Sequence, residues 1–223
     1  IIEGSKPGAA AASAWLAHKS IPFDNHNHGK LMRTSILNTR KLYTYLMNHK
    51  RFFDKFEEGS ERAFKVGDLA FTFKPICEPD SNILCYVALP YKWDVDGLKD
   101  ADFPLKFINA LNKKIYEKFS MESHNKKHKM PYGQEYFISR TRLTNSTYKA
   151  DSIQFLLDEF RIDKREYKQE GMFVLRSTIM NPWYFLASVS GDNTDYLMKF
   201  LKKLHKETKK IISKMEIPET ISN

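Results

Sequence analysis

The sequence is poor in cysteine, with only Cys77 and Cys85 in 223 residues. Two thiols cannot build a disulfide framework, and they are too few for a four-cysteine zinc site. Glycine and proline are scarce at nine each, which excludes a collagenous or low-complexity chain. No run of about 18 apolar residues occurs, so no transmembrane helix is expected. The longest small-apolar stretch, Ala9 to Ala17, is interrupted by Ser13. It also lacks the basic flank of a signal peptide. An initiator methionine is missing too. The chain begins Ile1-Ile2-Glu3, which reads as an excerpt from something longer. What is present is the composition of a folded domain from a reducing compartment. Hydrophobic residues make up 42%, aromatics 13% and charged residues 28%, enough to bury a core.

Acidic residues are outnumbered, 27 against 36 Lys and Arg, for a net charge of +9. That admits nucleic acid, anionic lipid or an acidic partner. The excess is spread along the chain. Its short clusters, Lys126-Lys127-His128-Lys129 and Lys202-Lys203, are not interleaved with aromatics as in single-strand binders. The lysines read as a solvated face, and nucleic acid is not the expected partner.

Periodicity divides the chain into elements. Ala9 to Ala17 has the highest helix propensity available, with Pro7 suited to a first turn and Gly4 or Ser5 to a cap. A helix that is small and apolar on every side is expected to be buried. Pro22 and the polar run Asp24-Asn25-His26-Asn27-His28-Gly29 end it. A long helix is predicted from Lys30 to Phe56, connecting two bodies. Strands are predicted at Leu69–Phe73 and Ile83–Leu89, with the turn Pro79-Asp80-Ser81-Asn82 between them. Two more are predicted at Tyr136–Thr141 and Gly171–Met180. Helices are predicted from an Asp102 cap through Phe119, over Ser152–Phe160, and from an Asp192 or Asn193 cap through Ile212. No internal repeat is visible. Hairpin-paired strands beside helices predict an α+β fold with a mostly antiparallel sheet.

Three constellations bear on chemistry. His26 and His28 invite a metal reading, but no cysteine or acidic cluster follows to complete a ligand set. A polar turn between helices is the expected outcome, with no metal. Gly4-Ser5-Lys6-Pro7-Gly8 fails the nucleophile-elbow pattern because Ser5 directly follows Gly4. As a helix N-terminus it offers free N–H groups to an anion such as phosphate. Arg176 sits in the middle of the most apolar strand, sharing a face with Val174 and Thr178. It either reaches solvent along an exposed face or is buried against an anion, for which a carboxylate suits its bidentate fork.

Glu3-Gly4-Ser5-Lys6-Pro7-Gly8 followed by alanines, with Trp15 and His18, resembles the group II pyridoxal-phosphate-dependent amino-acid decarboxylases. The likeness is to their bacterial tyrosine decarboxylase branch. Gly29-Lys30-Leu31-Met32 resembles the same branch, with His28 where tyrosine is usual. Val174-Leu175-Arg176-Ser177-Thr178-Ile179-Met180-Asn181-Pro182 resembles the family's closing strand. The resemblance implies a C-terminal portion of a fold type I (aspartate-aminotransferase-like) enzyme, cytoplasmic and homodimeric, that releases CO2 from an aromatic amino acid. Residues 1–58 would be the tail of the large domain and the connecting helix, and residues 59–223 the small domain. Arg176 matches an arginine at the substrate carboxylate, and Thr178 a substrate-proximal serine. Gly4, Ser5 and Gly8 would lie near the cofactor. The Schiff-base lysine, the pyridinium aspartate and the stacking histidine all belong upstream, so no catalytic residue is expected in this chain. A piece without them would be inactive alone. A different reading is a remnant or split-gene subunit serving assembly, which predicts an exposed apolar patch over Ala9–Trp15.

Overall fold

The computed structural model describes residues 8–48, 69–94, 97–99, 103–120, 135–184 and 195–218. The first helix, α1 (Gly8–Ser20), forms on its alanine run as expected. It is not buried. Every residue of it is exposed, with Trp15 at 63% and Leu16 at 60%. The expectation of burial fails because no described part of this chain covers it.

The polar run after Pro22 is a turn built by Asp24. Its Oδ1 accepts the backbone N–H groups of His26 and Asn27 at 2.8 Å, and its carbonyl accepts that of Gly29 at 2.8 Å. A Cβ on Gly29 would stand 2.8 Å from the Asp24 carbonyl oxygen, so only glycine closes this turn. Helix α2 (His28–Met47) follows. It ends at Asn48, and the predicted continuation through Phe56 lies outside the described residues. Its buried stripe is Ser35, Asn38, Thr39, Leu42, Tyr45 and Leu46. The first half of that stripe is polar, which apolar periodicity does not register.

Strands β1 (Leu69–Pro75), β2 (Ile83–Asp94), β3 (Gly97–Lys99), β4 (Ser139–Leu143) and β5 (Met172–Thr178) form one antiparallel sheet. The order is β1-β2-β5-β4, with β3 pairing the far end of β2. The α+β class is therefore as expected. Strand β4 starts later than predicted. Tyr136 packs against Phe200 instead, and the Ile138 N–H bonds the Phe119 carbonyl at 3.1 Å. The remaining helices are α3 (Leu105–Phe119), α4 (Gln154–Glu159) after a 3-10 turn at Ala150–Ile153, α5 (Lys164–Glu170) and α6 (Tyr196–Ile212). The short α5 was not predicted. Asp163 caps it, accepting from the Arg165 and Glu166 N–H groups.

Two other caps differ from expectation. Asp102, Asp192 and Asn193 lie outside the described residues. Asp195 caps α6 through the N–H groups of Leu197 and Met198. Helix α3 has no cap of its own. Its Leu105 N–H donates to Glu166 of α5 at 2.7 Å, so one helix completes the start of another.

The ladder between β2 and β5 runs only from Ile83 to Tyr86, although both strands continue past it. Two buried asparagines of α3 take over. Asn112 Oδ1 accepts the Ala88 N–H at 2.8 Å, and its Nδ2 donates to the Ala88 carbonyl at 3.0 Å. Asn109 Oδ1 accepts the Phe173 N–H, and its Nδ2 donates to the Gly171 carbonyl, both at 2.8 Å. Each carboxamide stands in for a peptide unit of the missing rung. Around this wedge pack Leu105, Leu111 and Ile115 of α3 with Phe71, Phe73, Tyr86 and Leu175, all essentially buried. Gly171 has φ of 66°, and a Cβ there would lie 2.6 Å from the Leu143 carbonyl oxygen.

Asn112→Leu would orphan both Ala88 groups. It is expected to lower unfolding stability by about 2–4 kcal/mol in urea titration. A loss below about 0.5 kcal/mol would show that the wedge carries little weight. A second expectation concerns the joint between α2 and α6. There the Tyr45 hydroxyl donates to Asp195, and Lys41 Nζ lies 2.9 Å from it. Burial pushes the Asp195 carboxyl up, but these two hydrogen bonds outweigh it and leave the group below the usual carboxylate range. A carboxyl lowered in the fold stabilises above its unfolded pKa, about 3.9, and loses that contribution as pH falls through its folded value. Asp195→Asn should therefore lower stability at neutral pH and flatten its decline below about pH 4 in thermal unfolding.

Candidate functional site

Arg176 lies where three strands are still laddered together. Its register partners are Cys85 on β2 and Ser139 on β4, so the three form one row across the sheet. Thr178 pairs with Ile83 one pleat further along the same face. Val174, on that face but deeper, is fully buried, whereas Arg176 is half-buried and Thr178 exposed. The opposite face carries Leu175 and Ser177 into the core, where Ser177 Oγ meets the buried Tyr86 hydroxyl at 2.9 Å.

Ser139 holds Arg176 from both ends. Its hydroxyl donates to the Arg176 carbonyl at 3.0 Å and accepts from Arg176 Nε at 2.8 Å. The side chain is thus tethered at Nε. Its terminal Nη groups make no hydrogen bond among the described residues, and no carboxylate pairs with them there. Neither of the two extremes raised by the sequence is reached. The cation is half-buried, and its fork is open to an oxyanion. Cys85 beside it has its thiol pushed up by burial and by the nearby Cys77, with Arg176 drawing it down.

The other predicted site residues do not join this row. Gly4 and Ser5 lie outside the described residues. Gly8 opens α1, fully exposed, with open space where a Cβ would sit. Among the described residues no other backbone approaches it closely. Ser139 and Cys85 were missed by the sequence reading. Both lie in predicted strands, but strand pairing across sequence separations of 37 and 91 residues is not visible in periodicity.

Among the described residues no group of three or more His, Cys, Asp or Glu gathers to hold a metal ion. None of the described helices is long and apolar enough to cross a membrane.

A family model described as tyrosine decarboxylase, C-terminal, matches residues 48–208. The L-tyrosine decarboxylase of Levilactobacillus brevis is 28% identical over 204 residues, covering 91% of this chain and 28% of its own length. That of Enterococcus faecalis (strain ATCC 700802 / V583) is 29% identical over 184 residues, covering 82% of this chain and 25% of its own length. That of Enterococcus faecium is 27% identical over 204 residues, with coverages of 91% and 29%. The chain spans less than a third of the length of these curated relatives.

The two thiols should separate chemically, since Cys77 is exposed and Cys85, within the row, is half-buried. A thiol reagent is expected to label Cys77 quickly and Cys85 slowly. Equal rates, read by mass spectrometry of the labelled peptides, would contradict the burial of that row.

Proposed function

This chain belongs to the tyrosine decarboxylase C-terminal family, and from that premise we propose that it is the C-terminal portion of a pyridoxal-phosphate-dependent decarboxylase. Its substrate is an aromatic amino acid such as tyrosine, which it converts to the amine and CO2. The matches to relatives named L-tyrosine decarboxylase support this reading. The observation that carries this chain's own part in it is Arg176, tethered at Nε with its Nη groups open.

Pyridoxal phosphate, when bound, supplies the electron sink for the charge left as CO2 departs. Gly8, at the start of α1, and the preceding Gly4 and Ser5 would lie near the cofactor in the complete enzyme. The lysine that carries the cofactor belongs to the upstream part, and the chain alone does not turn over. Arg176 binds the substrate carboxylate through its free N–H groups. Ser139 keeps the guanidinium from swinging, which reduces the ordering that binding must impose. Thr178 offers its exposed hydroxyl on the same face, and Ile83 opposite offers apolar surface for an aromatic side chain.

In this reading the parent has fold type I and is a homodimer. Residues 1–58 are the tail of its large domain with the connecting helix, and residues 59–223 its small domain. A second reading, an assembly module without chemistry, draws on the exposed Trp15 and Leu16 of α1. Reading the DNA upstream separates the two. A lysine-bearing cofactor domain in frame or in an adjacent gene supports the enzyme, and its absence removes the catalytic claim.

In the complete enzyme, Arg176→Ala is expected to lower kcat/KM by about 10- to 100-fold, mainly through KM, as one charge-assisted interaction is lost. Cofactor absorbance should not change. Ser139→Ala should cost less, about 3- to 10-fold, with Ser139→Thr restoring most of it because the hydroxyl remains. An unchanged KM in Arg176→Ala would refute the assignment.

A further inference from the structure

Along the sequence the positive charge is dispersed, but the fold gathers it. A groove of about 1090 Å³ opens between α3, β4 and α6. Seven lysines and arginines line it against two glutamates, so more than half of the chain's +9 converges on one concavity. The glutamates are already engaged. Glu207, whose side chain is only 12% exposed, pairs with Lys118 at 3.7 Å and Lys210 at 2.7 Å. Glu117 lies 3.9 Å from Lys113. Lys114, Arg140, Arg142 and Lys214 pair with no carboxylate among the described residues.

Arg140 is oriented by what lies beneath it. Its guanidinium centre stands 5.4 Å from the Tyr116 ring centre and 5.8 Å from that of Phe173. A guanidinium held over rings keeps its in-plane N–H groups for an oxyanion. A concavity whose net charge is strongly positive focuses the field toward its interior.

The geometry points to a compact oligophosphate as the ligand. The cations come from three elements onto one concavity, a convergence that suits a compact anion. Tyr116 and Phe173 already carry Arg140, so they are not an open stacking platform for bases. Carboxylates of an acidic peptide bring one charge each and are spaced along a backbone. A phosphate group brings about −1.5 to −2 on a few oxygens, and a di- or triphosphate concentrates enough to answer four uncompensated cations. The source is either free polyphosphate or the tail of a nucleotide. The site is separate from the Arg176 row and does not depend on the decarboxylase reading.

Calorimetric titration of the 223-residue chain at about 50 mM salt tests this, with inorganic tripolyphosphate, ATP and a short polyglutamate peptide as probes. Tripolyphosphate should bind saturably, and weaken steeply as salt rises. Lys114→Gln/Lys214→Gln should weaken it by about tenfold or more, and Arg140→Gln independently should do the same. Lys149→Gln/Lys168→Gln, which removes the same charge outside the groove, should leave it unchanged. ATP binding more tightly than tripolyphosphate identifies a nucleotide as the source, and equal or weaker binding identifies free polyphosphate. The absence of saturable binding, an equal loss in the control variant, or polyglutamate binding as tightly as tripolyphosphate would each overturn the proposal.

Discussion

The fold depends on two carboxamides. Where the ladder between β2 and β5 stops, four peptide groups of the sheet interior would be left without partners, and burying them unpaired would be costly. Asn109 and Asn112 satisfy all four from a single helix. The position of α3 against the sheet is thereby set by directional bonds as well as by its apolar stripe. The consequences reach both sites. Toward one end the strands stay laddered and hold Arg176 between Cys85 and Ser139. Against β4 and α6, the lysines of α3 form one wall of the basic groove.

A second set of polar contacts binds α2 to this unit. Tyr45 and Lys41 of α2 both bond Asp195, which at the same time caps α6. One carboxylate thus starts a helix and anchors another. No described contact of this kind covers α1, whose apolar residues stand in solvent. An alanine-rich helix with exposed tryptophan and leucine has a composition suited to burial. In the proposed parent enzyme the large domain provides that cover.

Much of the architecture was legible from periodicity. Short apolar runs at Leu69–Phe73 and Ile83–Leu89, with a turn signal between them, located β1 and β2, and the apolar spacing of Phe107, Ile108, Leu111 and Ile115 located α3. These signals are local, because an element needs one face apolar whatever it packs against. The failures have a common cause. Tyr136 and Phe137 have strand-like composition, but the Tyr136 ring packs against Phe200 of α6, a partner remote in sequence. Helix α5 lacks a strong apolar period, and its Asp163 cap with buried Tyr167 carries it. The polar half of the α2 stripe was invisible because its burial depends on neighbours remote in sequence.

By itself the sequence determined the α+β class, the placement of most elements, the family likeness and the presence of Arg176 within an apolar strand. Periodicity and motif are properties of adjacent residues, so they survive without a structure. The tertiary structure alone decided which residues stand beside Arg176, because register is a relation between strands far apart in the chain. It also decided what the charge means. Lysines and arginines from residues 113–118, 140–142 and 210–214 are separate in sequence and face one groove in space. Electrostatic potential adds by distance through space, and only folding sets those distances.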